Sequence, residues 1–216
     1  MNFRGLPSVA AALAVAWAGG AASAATGPYA PGTLDDRIDL LVRSGFDRPV
    51  EAVAALSELR ASSLPSPTLT RDIDLARGLV EAQAGHSQVA GVLAAHLESL
   101  SQSRSDPLAT AAAELVRAAV ADNAGRLDEA ATRAQAAASS LERGCPRSRL
   151  GGSDDATRAA FAASCDYRSL WAALDVLQRR AMNAGQFQAA RDHAQAALDL
   201  AEWAADGYRQ DRKSVV

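Results

Sequence analysis

The sequence predicts an all-α protein of antiparallel helical hairpins stacked as an α-solenoid. Three observations carry that expectation. Hydrophobic residues make up 49% of the 216-residue chain while aromatics make up only 5%, and alanine supplies most of the difference. Ala, Leu, Arg and Glu lose little rotamer freedom in a helix, whereas a β-sandwich would need many more Val, Ile, Thr and Tyr. From Leu34 onward, apolar residues recur at helical spacing between short breaks. Three of those breaks share one pattern, Ala-Gly-x4-Ala: Ala84-Gly85 with Ala90, Ala124-Gly125 with Ala130, and Ala184-Gly185 with Ala190. In each, the glycine takes the left-handed conformation that a tight helix-to-helix turn requires, and the small alanine lets the second helix approach the first.

The elements follow from the break signals. Helices are expected over 34–44, 49–60, 69–84, 87–101, 107–123, 127–143, 156–183 and 187–207. Gly45 with Asp47-Arg48-Pro49 ends the first helix and starts the second, with proline in the first turn. Residues 62–67 form a turn-rich linker that proline keeps out of any continuous helix. Asp106-Pro107 repeats the start signal, and residues 144–155 form the longest loop. Leu127 and Phe187, two residues after their glycines, are placed to plug their hairpins, and Ser87 does this poorly.

Both ends read differently from the middle. Arg4, the apolar run Val9 to Ala18 and the small residues Ala22-Ser23-Ala24 have the form of a secretory signal peptide over 1–24. Residues 25–33 are a linker, 34–207 the helical domain, and 208–216 a tail. Every cation is arginine except Lys213. Residues 211–216 look like a translated sequencing adapter, so the native protein is expected to continue beyond Gln210.

Composition excludes several classes. The formal net charge of −3 argues against a basic nucleic-acid binder. No apolar run reaches the roughly 20 residues of a membrane-spanning helix. Two cysteines are too few for a disulfide scaffold or a four-thiolate zinc site.

The turn motifs resemble the tetratricopeptide repeat. That family places a small residue seven before the turn glycine, an apolar or aromatic residue two after it and alanine five after it. Gly78 and Ala118 fit the first position, and Ala197-Leu198-Asp199-Leu200 looks like the end of a repeat's second helix. The glycines lie 40 and then 60 residues apart rather than 34. Trp171 and Leu174 look like a repeat's opening pair, yet Gly185 follows Trp171 by 14 residues rather than 11, which implies an overlong helix or a shifted register. The hairpin on Gly45 and Ala52 is more degenerate. Hairpins of this kind bury their apolar faces against their neighbours, so Leu198, Leu200 and Trp203 are expected near an uncovered end.

Candidate sites are few. Cys145 and Cys165 bracket the long loop and are able to pair in an exported protein; closing that loop is worth about 3 kcal/mol. Free thiols remain the alternative. Residues 151–155, Gly-Gly-Ser-Asp-Asp, resemble the GGDEF motif in letters only, because they lead into a helix; Ser153 or Asp154 reads as its N-cap. His86, His96 and His193 are isolated, with no metal-ligand spacing. Asp72 and Asp74 read as charges near a helix start. Arg168, Trp171 and Asp175, with Gln178 and Arg179, form a candidate binding face on the concave side, unless Trp171 packs inside its hairpin. No catalytic constellation, cofactor site or phosphate loop is legible, so the chain itself is not expected to be an enzyme.

Residues 165–210 are similar to the extracytoplasmic tetratricopeptide-like regions of bacterial membrane signalling proteins that carry a GGDEF diguanylate cyclase domain. The resemblance implies a periplasmic sensor. Its partner would be a protein, peptide or periplasmic ligand, and it would be membrane-anchored only through a segment beyond this chain. A soluble periplasmic adaptor that binds a protein partner is the alternative.

Overall fold

A computed structural model describes residues 34–64, 66–104, 107–145 and 165–213. The signal peptide, the linker 25–33, the loop 151–155 and residues 214–216 lie outside the described residues.

Among the described residues the chain is all-helical, with eight helices. These are α1 (Leu34–Ser44), α2 (Pro49–Ser62), α3 (Pro67–Gln83), α4 (Ser87–Arg104), α5 (Pro107–Asn123), α6 (Leu127–Leu141), α7 (Tyr167–Asn183) and α8 (Phe187–Lys213). Starts are set by local chemistry. Pro49 and Pro67 stand in first turns, where their missing N–H has no partner to lose. The Ser66 hydroxyl accepts from Leu69 N–H at 3.0 Å, so α3 begins two residues earlier than expected. Arg48, not Asp47, caps α2, and no side-chain hydrogen bond assists it.

The three Ala-Gly turns are built alike. Gly85, Gly125 and Gly185 have φ of +82°, +72° and +71°. At the first, Gly85 N–H donates to Ala82 O and His86 N–H to Glu81 O. The same pair of bonds joins Gly125 to Asp122 and Arg126 to Ala121, then Gly185 to Met182 and Gln186 to Ala181. This is the double-bonded left-handed helix stop. The residue after each glycine also starts the next helix: the carbonyls of His86, Arg126 and Gln186 accept from Ala90, Ala130 and Ala190. Those three alanines are 0%, 1% and 2% exposed, each packed at its hairpin's neck.

Helices α3, α5 and α7 are each 17 residues long and end at the same distance before their glycines. The third hairpin is therefore neither overlong nor out of register. The extra residues lie between α6 and α7. The expected helix over 156–183 is corrected at its start: Cys165 and Asp166 are non-helical, and the Asp166 carboxylate accepts from Ser169 N–H at 3.0 Å and from Ser169 Oγ at 2.8 Å. An aspartate whose carboxylate takes the first free N–H groups defines a helix start. At the other end α8 runs to Lys213 rather than stopping at 207.

Consecutive helices pack along the chain, and α3 also packs on α1 and α5, as α5 does on α7. The odd-numbered helices therefore form one continuous row. Three apolar clusters follow one another: Ile38, Leu56, Leu59 and Ile73 first; Ala90, Ala94, Leu97 and Val116 next; Leu141, Leu170, Leu174 and Leu200 last. Leu75 touches the second and third. Small side chains bring the helices close. A Cβ on Gly78 would lie 2.6 Å from Val116 Cγ2, and one on Gly45 2.6 Å from Val80 Cγ2. Leu200, expected near an uncovered end, is 1% exposed against α7. Phe187 does not plug its hairpin; it is 68% exposed, because the core of that hairpin closes on Ala190 and Ala197 further along.

Candidate functional site

The described ionic chemistry concentrates where the first and seventh helices meet. Arg168, in the first turn of α7, reaches back to α1. Its guanidinium lies 3.7 Å from Asp35 Oδ2, 3.2 Å from Asp36 Oδ1 and 3.1 Å from Asp39 Oδ2. Its Nε donates to Tyr167 Oη at 2.9 Å, and its Cζ is 5.6 Å from that ring's centroid. Burial opposes the charge on Arg168, but Asp39, Tyr167 and Asp35 outweigh it and raise its pKa. On α3, Arg71 pairs with Asp72 at 2.8 Å. Burial pushes Asp72 up to about 6; Arg71 opposes this, and Asp166 and Asp35 add to it. Burial likewise raises Asp39, against the pull of Arg168 and Arg43, and raises Tyr167.

The candidate face on α7 divides into three parts. Arg168 is committed to α1. Asp175 pairs with Arg179, which also holds Asp122 at the end of α5, at 2.7 Å. Trp171 does not pack inside its hairpin and is 46% exposed. Its counterparts at the same distance before the other turn glycines, Arg71 and Ala111, are both buried. Met182 repeats the contrast: it is half exposed, whereas its counterpart Ala82 is buried among α4 and α5. The described part of α7 thus bears an open apolar end face where α3 is covered by the next hairpin.

A second cluster corrects the reading of Asp72 and Asp74 as helix-start charges. Both lie beyond the first turn of α3, which holds no acidic residue. Asp74 is 0% exposed. Its carboxylate accepts from Arg60 of α2 at 2.7 Å and lies 2.8 Å from His96 Nδ1 of α4. A carboxylate only accepts, so that pairing places the ring proton on Nδ1. One repeat later Glu114 stands at the matching position and pairs with Arg117 at 2.8 Å and Arg133 at 3.1 Å. In the third hairpin Leu174 takes that place. His86 likewise pairs with Glu81, at 2.7 Å.

The disulfide Cys145–Cys165 is present, with Cα atoms 4.7 Å apart. It ties the end of α6 to the residue just before the Asp166 cap. A cleft of about 130 Å³ opens between α4, α5 and α6, floored by Ala90, Gly91 and Val120. Its arginines, Arg117, Arg126 and Arg133, are paired with Glu98, Glu114 and Glu129. Among the described residues no group of three or more His, Cys, Asp or Glu is arranged to hold a metal ion, and no helix is long and apolar enough to cross a membrane.

Sequence reasoning found Arg168, Trp171 and Asp175 but missed Asp35, Asp36, Asp39, Asp72 and Tyr167. The one available signal was the Asp35-Asp36 pair opening α1. Comparison of the chain with protein-family models, with curated proteins and with solved structures yields no match.

Proposed function

We propose that the chain is a tetratricopeptide-like α-solenoid that acts outside the cytoplasm as a protein-interaction region. We further propose that it is the sensory part of a membrane signalling protein of the diguanylate cyclase type. The observation that carries the interaction reading is the open end of the third hairpin. Trp171 and Met182 are exposed where the matching side chains of α3 lie buried. Half-exposed aromatic side chains beside arginines are the residues that anchor protein interfaces. Three identical left-handed turns and a continuous row of odd-numbered helices support the solenoid. The disulfide between Cys145 and Cys165 supports an oxidising compartment. The signalling role rests on the resemblance of residues 165–210.

In-cell photocrosslinking tests the interaction. A photoreactive residue at Trp171 is expected to give a discrete protein adduct, and one at Val92 on α4 to give none. Adducts from both positions, or from neither, would remove the proposed face. The intact gene tests the signalling role: a membrane-spanning segment followed by a GGDEF motif downstream of codon 210 is the expected finding. A stop codon after two further helices would favour the adaptor instead. Export is tested separately, by fusing residues 1–30 to a phosphatase that is active only outside the cytoplasm.

A further inference from the structure

Helix α1 and the start of α7 are 132 residues apart in sequence, yet they meet around one guanidinium. Their junction brings together groups from every element that forms it. Helix α1 contributes Asp35, Asp36, Asp39 and Arg43; α3 contributes Arg71 and Asp72; the start of α7 contributes Asp166, Tyr167 and Arg168. Five carboxylates thus face three guanidiniums. Asp72 sits in the middle of this imbalance. It is held by Arg71 on its own helix and repelled by Asp35 on one side and Asp166 on the other.

We infer that the junction is a proton-tightened latch: when Asp72 takes up a proton, α1 is drawn onto the start of α7 and the first and last odd-numbered helices close on each other. A neutral Asp72 no longer repels Asp35 or Asp166, and the three guanidiniums then face four carboxylates instead of five. The Arg168 pairs, which do the holding, are untouched by that proton.

The direction follows from burial, which pushes Asp72 up to about 6 from an ordinary value of 3.8. A carboxyl raised in the closed state favours closure most below its ordinary value, and that contribution is lost as pH rises through about 6. The acid limit is set by Asp39, whose protonation removes one of the Arg168 pairs. Latching is therefore strongest in mild acid. This inference is independent of the repeat-sensor proposal, since it concerns only the contact between α1 and α7.

Hydrogen exchange of the full chain, read by mass spectrometry and corrected for intrinsic rates, tests it. Protection of the α1 amides is expected to be about tenfold higher at pH 5.0 than at pH 7.5. Asp72→Asn should hold α1 protected at both pH values, and Arg168→Gln should leave it unprotected at both while α4 and α5 exchange as before. Protection of α1 that does not change with pH in the unsubstituted chain would overturn the latch. So would an Asp72→Asn variant that keeps the full pH dependence. Should either variant fail to fold, the unsubstituted chain decides alone.

Discussion

Asp74 shows how a single buried charge organises three helices. Its carboxylate is fully enclosed, while Arg60 and His96 keep 41% and 43% of their side chains in solvent. The two sides of the cluster are therefore unequal. Removing Asp74, as in Asp74→Leu, releases two partners that regain water, and the expected cost is the lost charge-assisted hydrogen bonds, about 1.5–3 kcal/mol each before the relief of an expensive desolvation. Removing both partners, as in the double variant Arg60→Met with His96→Leu, strands an uncompensated buried carboxylate, at about 3–5 kcal/mol. Urea denaturation of the two should rank the double variant as the less stable. The opposite order would mean that Asp74 is solvated. Glycines at the same scale divide by mechanism. Nothing lies within 4 Å of a Cβ on Gly125, so Gly125→Ala costs only backbone strain, about 1–2 kcal/mol, and Gly125→Asn should recover part of it. Gly78→Ala instead drives a methyl into Val116, an overpacking of about 1–3 kcal/mol. Asparagine at 78 should be worse still.

Among elements, α7 is the one that its own sequence defines least. The alanine-rich stretch before Cys165 continues a helical pattern, so periodicity alone carries the expected helix back to 156. What stops it at Tyr167 is the Asp166 carboxylate, backed by a covalent tie at Cys165. The turn corners were legible, because a glycine followed five residues later by alanine has a mechanism that needs no distant partner. The latch was not legible, because Arg168 finds its carboxylates on a helix 132 residues away. Asp74 was misread for a related reason. A charged residue in a helical pattern signals the solvent face unless its partners are known, and these lie 14 and 22 residues off. The disulfide belongs to this scale too. Replacing both Cys145 and Cys165 with serine should cost about 3 kcal/mol, by the loop entropy released in the unfolded chain. Mass spectrometry of the unreduced protein should find no free thiol. Two alkylatable thiols in the native, non-reduced chain would exclude the bridge.

At the scale of the molecule, alanine sets the architecture. The large fully buried side chains are Leu, Ile and Val, with Asp74 and Cys145 among them, and none is aromatic. Alanines at the necks and along the odd-numbered row let helices approach closely, but each contributes little apolar area. The chain comprising residues 25–210 is therefore expected to be strongly helical by circular dichroism and to unfold at modest urea concentration. Appreciable β-structure in that spectrum would contradict the composition argument. The proposed interaction also belongs here, because the end face at Trp171 and Met182 exists only through the stacking of whole hairpins. Everything rests on the three corners. Backbone chemical shifts measured by nuclear magnetic resonance test them most directly: helical shifts should break at residues 84–86, 124–126 and 184–186, with positive-φ signatures at Gly85, Gly125 and Gly185. Helical shifts running unbroken through any of those glycines would contradict the fold.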